Sequence, residues 1–165
     1  GGRTWDIRVD HGHAPGHASF WSRDDNLVLS GDQIIPSISS NIGVYPTEPD
    51  ANPLAEWIHS CSRLKDFARA DHLALPGHKL PFIGIPLRLK QLLENHHGAL
   101  DRLRVDLKTP KTTGEVMLAV FKRNIGDGEY GLGLVEALAH CNYLWHAGEV
   151  IRTLDRDGAY RWQLK

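Results

Sequence analysis

The sequence has 165 residues, 41% hydrophobic and 24% charged, enough for one or two compact units with a real core. Its 19 Lys and Arg are offset by 20 Asp and Glu, so a formal net charge of -1 provides no global attraction to a polyanion such as nucleic acid. Cys61 and Cys141 lie far apart without CxxC spacing, which argues against a disulfide scaffold or a cysteine zinc knuckle and favours a reducing, cytoplasmic setting. No apolar run approaches the roughly 20 residues of a membrane span, and Gly1-Gly2-Arg3-Thr4-Trp5 lacks a signal-peptide pattern, so no membrane partner is expected.

The chain opens without an initiator Met on Trp5 to Val9, whose apolar-polar alternation predicts a strand, and a truncated chain is expected from so abrupt a start. A loop dense in His, Gly and Pro follows from Asp10 to His17. Ser19 to Trp21 and Asn26 to Ser30, split by Arg23-Asp24-Asp25, predict a hairpin ending at Gly31-Asp32. Residues Ile34 to Asn52 have little periodicity and read as an ordered loop or lid. Asn52 as N-cap and Pro53 at the first helical position start a helix that puts Leu54, Trp57, Ile58, Cys61 and Leu64 on one face and ends near Phe67.

His72 to Leu75 predicts a short strand, and Pro76-Gly77-His78-Lys79 a turn. From Pro86 a Leu- and Lys-rich helix runs through His96-His97 toward Leu107, with Gly98 a candidate kink. Thr112-Thr113-Gly114-Glu115 carries a capping-box signature ahead of Val116, Leu118, Val120 and Phe121. A further helix spans about Leu132 to His146, with Gly148 close to its end. Val150 to Leu154 and Tyr160 to Leu164 flank Asp155-Arg156-Asp157-Gly158, a hairpin signal. Helices followed by such a hairpin suggest a winged-helix-like unit.

Chemistry gathers at three places just after predicted strands: His13 with His11 and His17, then Asp32, then His78. Rigid sheets fix loop bases while leaving their tips adaptable, so strand ends are where α/β enzymes collect reactive groups. Imidazole with carboxylate suits zinc, iron or manganese, and the lack of thiolate favours a hydrolytic site over a structural zinc. Gly12, Gly16, Gly31 and Gly77 each adjoin a candidate ligand and permit close backbone approach. Against this, a lone loop His is ordinarily solvated and an Asp after Gly is ordinarily a turn residue. Spacing alone leaves the two readings open.

Gly12-His13-Ala14-Pro15-Gly16-His17, then Ser30-Gly31-Asp32, then Leu75-Pro76-Gly77-His78, in this order, resemble the third, fourth and fifth metal motifs of the metallo-β-lactamase fold. Glu136-Ala137-Leu138-Ala139-His140 and the hairpin after it are similar to the C-terminal winged-helix-like domain of the lactamase-like hydrolase subfamily. The resemblance implies an α+β chain: the C-terminal half of an αββα sandwich over residues 1–85, then a helical winged-helix-like domain over 86–165. It implies His13 in one metal site, Asp32 bridging two metals, His78 on the second metal, and His17 supporting the ligands from behind. His11, His140 and His146 receive no role.

The family's HxHxDH motif, which supplies four further ligands, occurs nowhere in the sequence. The resemblance therefore implies a hydrolase with two divalent ions, zinc first, then iron or manganese. A hydroxide held by those ions would attack an ester, thioester, lactone or phosphodiester. The chain by itself is expected to be inactive and to bind metal weakly. Its expected partners are a missing N-terminal half, a small-molecule substrate, and a second copy joined through an exposed apolar sheet face or through the Trp5 edge strand. The alternatives are a nucleic-acid-binding or RNA-cleaving protein using Arg102, Arg104, Lys108, Lys111 and Lys122 of the tail, or a non-catalytic interaction domain. Glu94, Asp101, Asp106 and Glu115 interrupt that basic stretch.

Overall fold

The computed structural model describes residues 2–165. Strands β1 (Trp5–Asp10), β2 (His17–Ser22), β3 (Leu27–Gly31), β4 (Leu73–Pro76) and β5 (Phe82–Ile83) form one sheet in the order β1-β2-β3-β4-β5. The first three are antiparallel neighbours, β4 runs parallel to β3, and β5 is antiparallel to β4. A parallel pair needs a crossover, and here it consists of the loop from residue 32 and helix α1 (Pro53–Leu64). The directions follow from the pairing: β1, β3 and β4 all point the same way. The three loops that leave their C-terminal ends therefore emerge at the same end of the sheet.

The two faces of this sheet differ. Ser19, Trp21, Val28 and Ala74 are buried on the face that also carries Asp10. There α1 approaches closely: Arg63 donates to Asp10 Oδ1 and to the Val9 carbonyl, both at 2.6 Å, and Ser60 Oγ accepts the His11 N–H at 3.0 Å. Gly12 is required for that approach. Its φ is +106°, and a Cβ there would stand 2.2 Å from Trp57 Cβ. On the opposite face Ile7, Phe20, Leu29 and Leu75 form one cross-strand row, flanked by Trp5, Val9, Ala18, Leu27, Leu73 and Ile83. Not one of these ten is buried.

Helix α2 (Ile85–Asp106) runs without interruption through Gly98, where a kink was a candidate. The Arg102 guanidinium donates to the Gly98 carbonyl at 2.7 Å, one turn away, and Ala99 and Leu100, which follow it, are good helix formers. The Thr112 capping box forms as expected. Glu115 Oε2 accepts the Thr112 N–H at 2.7 Å and Thr112 Oγ1 accepts the Glu115 N–H at 3.3 Å, although helix α3 (Met117–Phe121) begins two residues later. A 3-10 turn over Asp127–Glu129 leads into α4 (Tyr130–His146), and β6 (Val150–Leu154) pairs antiparallel with β7 (Tyr160–Leu164).

The chain forms two compact units, one of residues up to 41 with 55–94, the other of residues 42–54 with 95–165. The two units interleave in sequence. Within the second unit the reason is hydrogen bonding: the Val44 N–H donates to the Val135 carbonyl at 3.1 Å, and Asn142 Nδ2 donates to the carbonyls of Pro49 at 3.0 Å and Ala51 at 2.9 Å.

That unit also buries two histidines. His140 Nδ1 lies 2.8 Å from the Glu136 carbonyl, which can only accept, so this nitrogen carries a proton. His140 Nε2 is then the acceptor for His96 Nδ1–H at 3.1 Å. Both rings are neutral, because burial opposes their charging; His140 is lowered from the ordinary 6.5 to about 4. A folded-state pKa below the unfolded one means that the unfolded chain binds the extra proton first. Stability is therefore fully present above about pH 6.5 and is lost as the pH falls toward 4, by about 3 kcal/mol from His140 alone. Urea midpoints at pH 7 and pH 4.5 should show this loss. His140→Gln should reduce the acid sensitivity, whereas His97→Gln, at an exposed position, should leave it intact.

Candidate metal centre

The loops after β1, β3 and β4 bring His13, Asp32 and His78 together. The parallel pairing of β3 with β4 sets Asp32 beside His78, and the Gly77 N–H donates to the Gly31 carbonyl at 2.9 Å. Gly77 lets the two loops touch: a Cβ there would meet Asp32 Oδ1 at 2.4 Å. The Asp32 carboxylate then presents one oxygen to each imidazole. His78 Nδ1 lies 2.7 Å from Oδ1, and His13 Nε2 lies 3.7 Å from Oδ2.

The two contacts differ chemically. His78 Nδ1–H donates to Asp32 Oδ1, so a cation bound there would take the place of a proton. His13 Nδ1 sits 2.8 Å from the Asn41 carbonyl and must donate to it. In the neutral ring this leaves the lone pair of His13 Nε2 facing Asp32 Oδ2, two acceptors with no hydrogen bond between them at 3.7 Å. Such a pair is completed by a cation. Fixing one imidazole nitrogen by a carbonyl so that the other stays bare is the usual arrangement behind a metal-binding histidine.

The peptide of Asp32 is held from both sides. His17 Nε2 accepts its N–H at 3.2 Å, and the Ser40 hydroxyl donates to its carbonyl. The pKa of His17 is lowered, first by burial and then by the proximity of His13, against the opposing pull of Asp32 and Asp10. His17 thus touches the Asp32 backbone and not its carboxylate. Ser40 and Asn41 were missed in the sequence because they act through a hydroxyl and a main-chain carbonyl in a loop without periodicity. His11 is turned to the loop itself, its Nδ1 accepting the Gly16 N–H at 3.2 Å, and His146 Nε2 donates to the Asp50 carbonyl at 2.7 Å.

The donor types fit a hard-to-borderline divalent ion, with one imidazole and one carboxylate oxygen at each of two positions. Among the described residues, no three His, Cys, Asp or Glu side chains are grouped so as to hold one ion. Each position is therefore only partly furnished by these residues.

Residues 100–165 match the family model described as metallo-beta-lactamase-like, C-terminal domain. The whole backbone superposes on a crystal structure of a beta-lactamase domain protein from Burkholderia ambifaria with a TM-score of 0.94 and 36% identity, covering 100% of this chain and 49% of that one. The chain shares the fold of this beta-lactamase domain protein. A metallo-beta-lactamase family protein from Thermus thermophilus is similar at a TM-score of 0.84 and 30% identity, over 99% of this chain and 50% of that one. The chain spans about half the length of each of these two structures. No curated protein sequence matches it. The fold is of the hydrolase type, and no helix among the described residues is long and apolar enough to cross a membrane.

Proposed function

We propose that this chain furnishes one side of a dinuclear metal-dependent hydrolase acting on an ester, thioester, lactone or phosphodiester. The observation that carries the reading is the Asp32 carboxylate, with its two oxygens facing two different imidazoles. His13 and Asp32 Oδ2 would hold one ion, and His78 and Asp32 Oδ1 the other. Divalent ions bound there would bring the pKa of a water from about 15.7 toward about 7 and polarise the electrophilic oxygen of the substrate. The residues of the chain do the rest. Asn41 orients His13, His17 and Ser40 hold the Asp32 loop, and Gly77 keeps space for its carboxylate. The remaining ligands would come from a segment outside residues 1–165, in keeping with the matched structures being about twice as long.

The nucleic-acid reading has less to draw on. Arg102 donates to the carbonyls of Gly98, Ala119 and Val120, Arg104 pairs with Glu149 and Asp101, and Lys111 pairs with Asp106. Three of the five basic groups on which an RNA surface would depend are thus engaged internally.

The test is a metal titration with a hydrolysis panel of thioester, lactone, carboxylic ester and phosphodiester. A protein that includes this segment and the complementary half should bind two divalent ions and hydrolyse one of the classes. Residues 1–165 alone should bind zinc weakly. Tight binding of two ions by residues 1–165 alone, or a two-metal protein inert toward the whole panel, would overturn the reading.

A further inference from the structure

Behind the Asp32 loop lies a group of buried polar side chains that the proposed chemistry does not use. Asp10 and Gln33 are 0% exposed. Asp10 Oδ1 is paired with Arg63, but Oδ2 is buried with no hydrogen-bond partner in the protein, and the same holds for His17 Nδ1; the Gln33 side chain, by contrast, is bonded to the Cys61 thiol. Buried polar groups are nearly always satisfied, by protein or by ordered water, so these two atoms call for an explanation.

The geometry supplies one. Asp10 and His17 are register partners across β1 and β2, so their side chains project from the same face as neighbours. His17 Nε2 accepts the Asp32 N–H and must be bare, which puts the proton of the neutral ring on Nδ1. The atoms left over are therefore complementary: a donor at His17 Nδ1 and a carboxylate oxygen, which can only accept, at Asp10 Oδ2. A single water can join them, accepting from His17 and donating to Asp10. This meets the two to four polar contacts that a buried water needs.

We propose that Asp10 is a positioning residue for Asp32: through a water shared with His17, its buried carboxylate holds the His17 ring in the tautomer whose Nε2 accepts the Asp32 N–H. The other tautomer would turn an N–H toward the Asp32 N–H, two donors facing each other, and release the peptide that carries the bridging carboxylate. Asp10 can enforce the choice because an ionised carboxylate has no proton to offer. Asn in its place can present an NH2 group instead and favour the reverse tautomer.

This inference rests on Asp32 being a metal ligand, but its main test does not need metal. In long-range proton–nitrogen correlation spectra, with the His17 ring assigned through His17→Gln, the wild-type ring is expected in the Nδ1–H form at neutral pH. Asp10→Asn should shift it toward Nε2–H, whereas Asp10→Glu and Arg63→Met, which keep a carboxylate there, should not. An Nε2–H ring in the wild type overturns the proposal without recourse to any variant. So does an unchanged tautomer in Asp10→Asn, or a shift in Arg63→Met equal to that in Asp10→Asn.

In the metal-loaded hydrolase, Asp10→Asn should lower kcat by about 10- to 100-fold, the range seen when outer partners of metal ligands are removed, with KM little moved and Asp10→Glu restoring most of the rate. If the hydrolase reading itself fails, activity and metal are absent in every variant while the tautomer result still stands on its own.

Discussion

Residues 1–165 alone should associate in solution, and sedimentation at micromolar concentration should show a species heavier than one chain. The cause is the bare sheet face. Its central row, Ile7, Phe20, Leu29 and Leu75, crosses four strands; Ile7 is 58% exposed, and Ile83, on the same face, is 69% exposed. Contiguous apolar patches beyond about 300–600 Å² are rare on monomeric proteins. Covering about 400 Å² at about 25 cal/mol per Å² is worth about 10 kcal/mol, comparable with the whole net stability of a domain and enough to offset much of the entropy lost on association. Phe20→Lys or Ile7→Lys should return a folded monomer, because both side chains project from that face and neither is buried. A wild-type monomer that stays folded at tens of micromolar would show that the face does not need a cover. In a protein with a complementary half, that half would occupy the face and the association should disappear.

The second large effect is expected at Asp32. In the metal-loaded hydrolase, Asp32→Ala should cost about 4 kcal/mol of transition-state stabilisation, about a thousandfold in rate, because one side chain serves both ion positions. The fold should survive, since His17 and Ser40 hold the Asp32 peptide through its main chain. Gly77→Ala removes no ligand but drives a methyl into Asp32 Oδ1, so it should lose much of the same activity. Metal stoichiometry and kcat measured on the same preparations separate the two substitutions: Ala at 32 should release metal, whereas Ala at 77 should distort its binding. An Asp32→Ala protein that keeps a tenth of its activity would remove Asp32 from the chemistry.

How much of this was readable beforehand depended on whether the signal was local. The Asn52-Pro53 start of α1, the β2 and β3 hairpin, and the Gly-marked turn between β6 and β7 announce themselves through residue types that each geometry demands. Strand β5 does not: Phe82–Ile83 is a strand only because Leu73 and Ala74 lie opposite it. The pairing of Val44 with Val135 is equally invisible, since it joins residues that sequence order keeps apart. At the site, His13, Asp32 and His78 were legible because His, Asp and Gly in strand-end loops are distinctive. Ser40, Asn41 and Asp10 were not, because a hydroxyl, a carbonyl and a buried carboxylate beside Arg63 look like ordinary loop and strand residues until the fold is known.

The interleaving of the two units also bears on how such chains can be recombined. Residues 42–54 precede α1 yet belong with the C-terminal unit, where Asp50 pairs with Arg152 and receives His146, and Asn142 spans the carbonyls of Pro49 and Ala51. The stretch matched by the C-terminal family model, residues 100–165, is therefore not a detachable cassette. A chimera spliced once near residue 85 would take its 42–54 segment from one parent and the partners of that segment from the other. Exchange of the tail between relatives is thus a two-crossover event, and the sequence of the 42–54 loop is tied to that of a helix far along the chain.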